Sequence, residues 1–481
     1  LCTMCVWKGK GTVGLEMHCE LKSNAKVFST GINKYSDTAN CHVSPVDMAF
    51  PGTLPIVNKK CIEHAIKMAS VLNCALADKF IFDRKNYYYP DLPKGYQITQ
   101  CTKPIGVNGY IDLPCQDRVI RAEIHDIHLE EDAASLDHFK NTSTIDYNRA
   151  GVPLLEIVTE PCFYSADEAV AFLEYMRNVY QYTDISLADT KKGQIRCDVN
   201  VNLKNEKGEY VTPRVEIKNV NSFSNVHDAI LYEEKRQLKA LEENNLEELV
   251  QETRRWDEET NSTIRMRTKV DAIDYKYFID PNIPPIKIDK NWVEKIVKTI
   301  PRLPLERQNS YMKEYGLSAY DAKILVKDKD IASYFEECIN LGLDAKMASN
   351  WITVNIVTEL NKDNSSIKDF YITPKYLKQI LDRIADGTIS NKQAKDVFSK
   401  ALEEKKEPQS FISKENSQIS NEDELRGIIT EIINNNLGQK EVYLNGKTNL
   451  FDYFVGQVMK QTRGKANPVK TKEILSEELN K

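Results

Sequence analysis

Apolar and polar residues alternate strictly along Gly14-Leu15-Glu16-Met17-His18-Cys19-Glu20-Leu21, which predicts a strand with Leu15, Met17, Cys19 and Leu21 on one face. Glu16, His18 and Glu20 then share the other. A solvent-facing strand more often carries Lys, Thr or Ser, whereas three ligand-capable side chains at every second residue suit a hard divalent cation. The alternation returns over residues 195–203, where Arg196, Asp198, Asn200 and Asn202 form the polar face, and over 214–218, which adds Glu216 and Lys218. The polar, glycine-containing stretch after Leu203 predicts an antiparallel hairpin with a carboxylate on each arm. Asp198 and Glu216 are expected to face each other beside Arg196, Arg214 and Lys218, a mixture that suits a phosphate held through a metal. Cross-strand ion pairs with no ligand are the alternative.

Residues 154–161 set Glu156 inside an otherwise apolar strand, and an ionised carboxylate there needs a cation or a metal. Residues 125–132 concentrate further ligand types, although the acidic run after His128 by itself suits a solvated turn or a helix start at least as well. Helical signals interrupt the strands. Ser165-Ala166-Asp167-Glu168 has the spacing of a capping box ahead of apolar residues at helical intervals, and a second helix is expected over 226–241. After the prolines at 281, 284, 285, 301 and 304 the period becomes helical from Leu305 to Leu402. Residues 403–422 have the composition of a linker, and a small helical tail follows. The fold class is therefore α+β followed by all-α.

Composition adds bounds. A chain of 481 residues with 41% hydrophobic content is long enough for two to four domains with real cores. No apolar stretch of spanning length and no charged-then-apolar leader is apparent, so a soluble, cytoplasmic protein is expected. The eleven cysteines are scattered, with Cys2 and Cys5 the only close pair, which indicates neither a disulfide framework nor a paired zinc knuckle. A net charge of −6 does not announce a nucleic-acid binder. Its distribution changes that picture: residues 455–472 carry Lys460, Arg463, Lys465, Lys470 and Lys472 without an acidic residue, a pattern suited either to a phosphate backbone or to a merely soluble helical end. Gly9–Gly14 matches G-x-G-x-x-G but leads into a strand, and Gly446-Lys447-Thr448 follows Glu441 where a phosphate loop requires glycine. Nucleotide chemistry would thus need the sheet-borne site.

The strings GLEMHCELK, DRKNYYYPDLPKGYQITQ, HLEEDA, DYNRAGVPLLEIVTEP, IRCDVNV and EIKNVNSF, followed by SNWITVNIVTELNK and VGQVMKQTRGKANP, resemble in order and spacing the B-subunit family of aspartyl/glutamyl-tRNA amidotransferases. The resemblance covers nearly the whole chain. It implies an antiparallel-sheet cradle forming a catalytic domain over 1–290, an all-α helical domain over 291–405, and a linker with a tRNA-contacting helical tail over 406–481. It also implies a heterotrimer with an amidase, the A subunit, which releases ammonia from glutamine, and with a small C subunit. This chain lacks the amidase's glycine- and serine-rich nucleophile region, so its implied task is to activate the misacylated tRNA. ATP would phosphorylate the side-chain carboxylate of Glu-tRNA(Gln) or Asp-tRNA(Asn), and ammonia would displace the phosphate.

That chemistry needs divalent cations to screen phosphate oxygens and align attack. Glu16, His18, Glu131 (with Glu130 as alternate), Glu156, Asp198 and Glu216 are accordingly expected to hold Mg2+, directly or through waters, with His18 the least usual ligand. His18, Glu131, Glu156, Asp198 and Glu216 are the expected catalytic set. Lys85, Arg196 and Lys218 are candidates for the nucleotide phosphates. Lys460, Arg463 and Lys465 are the candidate tRNA contacts. Asn148 and Arg149 suit either an approach to the substrate or ammonia exit, or a structural turn. Some relatives carry paired cysteines for zinc ahead of the stretch seen here as Pro51–Pro55; this chain has only Cys41 there, so zinc is not expected. Two other readings are a non-catalytic protein that only holds tRNA and a free-standing metal-dependent phosphotransferase acting on a small carboxylic acid.

Overall fold

The alternating runs become neighbouring strands of one sheet. In the computed structural model, residues 9–220, 222–268, 274–363, 365–412, 422–462 and 464–480 are described. Cys2, Cys5, Arg463 and the stretch 413–421 of the expected linker lie outside them. Contacts divide the chain into two compact units, up to Leu305 and from Glu306.

The first unit is built on nine strands: β1 (Lys10–Glu20), β2 (Ala75–Leu76), β6 (Gly106–Cys115), β7 (Arg118–Glu131), β10 (Pro153–Thr159), β11 (Ile195–Lys204), β12 (Val215–Val220), β13 (Glu252–Asp257) and β14 (Ser262–Thr268). Their order is β14-β13-β12-β11-β1-β10-β7-β6-β2, which puts the first alternating strand at the centre. Smaller sheets are formed by β15 (Phe278–Ile279), β4 (Asp83–Asn86) and β5 (Tyr96–Thr99), by β16 (Ile286–Lys287) and β3 (Lys79–Phe80), and by β8 (Ser135–His138) and β9 (Ser143–Asp146). β11 and β12 pair antiparallel as the hairpin pattern predicts, whereas β12 and β13 are parallel. A parallel pair needs a crossover, supplied here by a helix between the two strands.

Val13, Leu15, Met17 and Cys19 lie on the inner face of β1, packed with Leu155, Ile157, Ile127, Leu129, Val199 and Val201 of its neighbours. Helices α1 (Lys59–Val71), α2 (Ala166–Tyr182) and α3 (Phe223–Glu242) cover that face, inserting Ile62, Ile66, Phe172, Met176, Val179 and Ile230. Each begins on a polar cap, Asn58, Ser165 and Ser222 accepting from the first turn. The capping box at Ser165 is half made: Ser165 Oγ accepts from Glu168 N at 3.2 Å, while Glu168 turns its carboxylate to Tyr164 N at 2.8 Å. Truncating Leu15 or Met17 to Ala inside this layer would cost about 2–5 kcal/mol. With the helices on one face, the polar face stays open. α4 (Lys290–Val297) joins the same core through Ile296.

The second unit is helical, as the change of period predicts, and holds two hydrophobic clusters. One gathers Phe335, Trp351, Ile352, Leu377, Ile380 and Phe398, the other Leu425, Ile429, Phe454, Val458 and Leu475. Among the described residues no helix is long and apolar enough to cross a membrane.

Candidate functional site

Two groups of ligand-capable side chains lie on the open face of the sheet: His18, Glu130 and Glu156, and Glu16, Asp198 and Glu216, each with one donor atom per residue within 4.8 Å of the others. Strand pairing explains the convergence. β1 sets Glu16 opposite Asp198 and His18 opposite both Arg196 and Glu156, and β10 sets Glu156 opposite His128 of β7. Since Glu16 and His18 are two residues apart on one strand, the two groups sit side by side, roughly 6.6 Å apart along it.

Glu156 is the hub of the first group. Its Oε2 lies 2.9 Å from His128 Nε2 and 3.3 Å from His18 Nε2, and His128 Nδ1 is 2.8 Å from Asp126 Oδ1. Burial resists ionisation of Glu156 most strongly, yet the charges of His128 and His18 overcome it and hold the carboxyl well below the usual range. Burial also opposes the charge of His18, but Glu156 and Glu130 outweigh it and raise that imidazole to about 9. Glu130 is pushed up by burial and by the charge of Glu156, against His18, His128 and Lys85.

In the second group the hairpin register sets Glu216 opposite Asn200 and not opposite Asp198, and the ladder shifts at a bulge only beyond Val199. Lys218 reunites the carboxylates, its Nζ lying 2.5 Å from Asp198 Oδ2 and 2.7 Å from Glu216 Oε1. Burial pushes Glu216 up, but Lys218 beside it brings it below the ordinary value. Glu16 is raised by burial, although Asn200 Nδ2 donates to its Oε1 at 2.9 Å. Five carboxylates and one imidazole are a hard donor set, and the two groups fit divalent cations that favour oxygen. The ammonium of Lys218 and the protonated His18 already stand where cationic charge is wanted.

Other predicted residues lie elsewhere. Glu131 projects away from these groups: its Oε1 meets Lys94 Nζ at 2.5 Å and accepts from Ile98 N at 2.9 Å, fastening β5 along β7, while the alternate, Glu130, faces the site. Arg196 Nη2 bonds Asp132 Oδ2 at 2.7 Å, beside Glu20, whose carboxyl burial and Asp132 push up to about 7. Arg149 Nε donates to Ala133 O at 2.9 Å, while Asn148 accepts from His42 N at 2.8 Å and donates to Thr38 O at 2.7 Å, which makes Asn148 a loop clamp. Cys41 contacts Thr38 O at 3.0 Å and belongs to neither group. Lys85, on β4, stabilises the charge of Glu130 and lies 4.9 Å from the ring centre of Tyr275. Residues 125–131 are strand and neither turn nor helix start, with Glu130 and Glu131 buried.

Residues 11–294 match the family model of the GatB/GatE catalytic domain, and residues 333–479 that of the GatB domain. The chain belongs to the GatB/GatE family. Among curated relatives it is similar to the aspartyl/glutamyl-tRNA(Asn/Gln) amidotransferase B subunit of Persephonella marina, 43% identical over 97% of this chain and 98% of the relative. It is similar also to the proteins of that description from Oceanobacillus iheyensis and Bacillus cytotoxicus, each 42% identical over at least 97% of this chain and 98% of the relative.

Within this GatB/GatE chain, His128 and Asp126, which the sequence reading placed in a ligand-rich stretch without a role of their own, lie beside Glu156. Their signal was the period of two: Asp126, His128 and Glu130 fall on one face once the run is taken as a strand. Thr253, whose Oγ1 donates to Glu216 Oε2 at 2.8 Å, carried no such signal. In the tail, Lys460 is exposed near the end of helix Leu450–Gln461, and Lys465 follows it half-buried.

Proposed function

We propose that this chain is the B subunit of a tRNA-dependent amidotransferase, an ATP- and Mg2+-dependent ligase that phosphorylates the side-chain carboxylate of Glu-tRNA(Gln) or Asp-tRNA(Asn) and exchanges the phosphate for ammonia. An amidase, the A subunit, would supply the ammonia and a small C subunit would complete the heterotrimer, and the place of work is the cytoplasm, where charged tRNA is used. The observation that carries this reading is the pair of metal-competent groups side by side on one face of the sheet, in a chain 43% identical to a protein of that description.

Glu130, Glu156 and His18 would hold one cation, and Glu16, Asp198 and Glu216 a second. Bound there, divalent cations supply charge neutralisation and in-line alignment for phosphoryl transfer. Lys218 and Lys85 offer fixed positive charge for phosphate oxygens at either side of the two groups. Arg196 is committed to Asp132 and serves the same end at longer range. His128 keeps Glu156 ionised and oriented, so that it enters the site as a carboxylate. Residues 1–290 would form the catalytic domain, 291–405 the helical domain, and 406–481 a linker and tail that hold tRNA through Lys460, Arg463 and Lys465.

The test is turnover of labelled ATP and amide formation by the reconstituted complex with Glu-tRNA(Gln) and Mg2+. The parent should consume ATP only with charged tRNA. Asp198→Ala should lower both activities by about a hundredfold or more, roughly 2.7 kcal/mol of barrier. Normal amidation by the variant would leave the chain the task of holding tRNA alone.

A further inference from the structure

Glu20 is the third ligand-capable residue on the open face of β1, yet it belongs to neither carboxylate group. Strand pairing places it one step outside them. β1 sets Glu20 opposite Leu154 of β10, and β10 sets Leu154 opposite Glu130 of β7, so Glu20 and Glu130 share one row of the face with the buried Leu154 between them. Two strand spacings, about 9.5 Å, separate their backbones. The end of β1 is fixed there, because Glu20 N donates to Gln194 O at 2.9 Å and Leu21 N to Pro153 O at 2.9 Å.

The carboxylates around Glu20 are all taken up. Asp132 accepts from Arg196 Nη2 at 2.7 Å and from Ala133 N at 2.9 Å, with Arg149 Nε 3.5 Å away. In the two groups Glu16 has Asn200, Glu156 has His128, Glu130 has Thr99, and Asp198 and Glu216 share Lys218. Among the described residues no donor lies within hydrogen-bond distance of the Glu20 carboxylate, although the residue is half-buried; Arg196 and Arg149 act on it only at longer range. A half-buried carboxylate without a donor is costly, and a cationic group of a ligand removes that cost. Asp132 adds a second negative charge beside Glu20 and offsets the guanidinium it binds.

We propose that Glu20 receives the α-ammonium of the aminoacyl group on the misacylated tRNA, so that the site reads an amino-acid ester and not merely a carboxylate. This rests on the amidotransferase function proposed above and adds to it a residue that recognises the substrate's one cation. The spacing suits a glutamyl group. Four bonds of about 1.5 Å join its α-nitrogen to its side-chain carboxyl carbon, about 5 Å end to end when extended. A charge-assisted hydrogen bond of about 2.8 Å at Glu20 and a cation–oxygen bond of about 2.1 Å at the other end bring this to roughly the two-strand spacing. With the ammonium held at Glu20, the side-chain carboxylate is directed along the row to the group of His18, Glu130 and Glu156, where it is to be phosphorylated.

The experiment measures amide formation by the heterotrimer containing the full-length chain, with ATP, Mg2+ and glutamine, on Glu-tRNA(Gln) and on tRNA(Gln) esterified with glutaric acid, in which hydrogen replaces the α-ammonium. The parent should favour Glu-tRNA(Gln) roughly ten- to a hundredfold in kcat/KM, the worth of one hydrogen bond between charged groups. Glu20→Gln should bring kcat/KM for Glu-tRNA(Gln) down towards that of the glutaryl ester and leave the glutaryl ester unchanged, while Glu20→Asp, which keeps the charge, should restore part of the preference. The unfolding midpoint of Glu20→Gln, expected at the parent's value, separates lost recognition from lost structure, and the parent's preference between the two esters tests the proposal without any variant. An equal fall on both esters, or a parent indifferent to the ammonium, overturns the proposal while the amidotransferase reading stands. A raised Mg2+ requirement in Glu20→Gln with the preference intact overturns it too, since Glu20 would then be a cation ligand. A parent complex that amidates neither ester brings down the amidotransferase reading itself.

Discussion

At the scale of single residues, His18 couples the site to pH. Its folded value of about 9 lies above the ordinary 6.5 because Glu156 and Glu130 outweigh the opposing effect of burial. A raised value means that the folded chain holds this proton more tightly than the unfolded one. The resulting stability is fully present below about pH 6.5 and is lost as pH rises through about 9. A cation entering the first group must displace that proton, so Mg2+ affinity should climb between these limits with proton release. Calorimetry in buffers of different ionisation enthalpy checks this, and an affinity independent of pH would contradict it. His18→Gln should flatten the climb. Glu156 was legible from sequence because a lone carboxylate in an apolar strand has few ways to exist. The choice between Glu130 and Glu131 was not, since adjacent residues differ only in which face they take, and that is settled by β5 claiming Glu131.

At the scale of elements, the edge of the second group is set by strands whose charges are buried. Glu233 of α3, fully buried, bonds Arg236 at 2.6 Å, Gln237 at 3.0 Å and Thr263 at 3.0 Å, while Glu252 of β13 meets Arg254 at 2.9 Å and Arg236 at 3.1 Å. Thr253 stands between Glu252 and Arg254 and reaches across to Glu216. The crossover helix thus locks the strand that orients a candidate ligand. Glu233→Ala should destabilise the protein by about 3–5 kcal/mol, because it removes the buried carboxylate to which Arg236, Gln237 and Thr263 all donate; a chemical-denaturation midpoint within error of the parent would refute this. Thr253→Val is milder, about 1 kcal/mol in stability, but should raise the Mg2+ concentration needed for half-maximal ATP turnover severalfold with kcat little changed. β13 escaped sequence reading for the same physical reason that makes it important. Glu-Thr-Arg-Arg-Trp-Asp carries charge on both faces and buries Glu252 and Arg254, so no alternation of apolar and polar residues marks it, and its parallel pairing depends on a helix placed between the strands.

At the scale of the whole molecule, local periodicity marked β1, β10, β11 and β12 as strands, but not that β1 would lie between strands that begin more than a hundred residues downstream. That order follows from the burial of one continuous apolar face under α1, α2 and α3, a property of all the strands together. The tail poses the complementary problem, because a separate hydrophobic cluster sustains it, and in the function proposed above its contribution would be to binding, not chemistry. If Lys460 and Lys465 meet tRNA phosphates, replacing each by Glu should weaken the charged tRNA and leave the chemical step alone. The KM for Glu-tRNA(Gln) should then rise while kcat recovers at saturating tRNA, and the slope of log affinity against log salt should fall by about one for each contact removed. A fall in kcat at saturating tRNA would place these lysines in the reaction itself, and an unchanged salt slope would remove them from the tRNA interface.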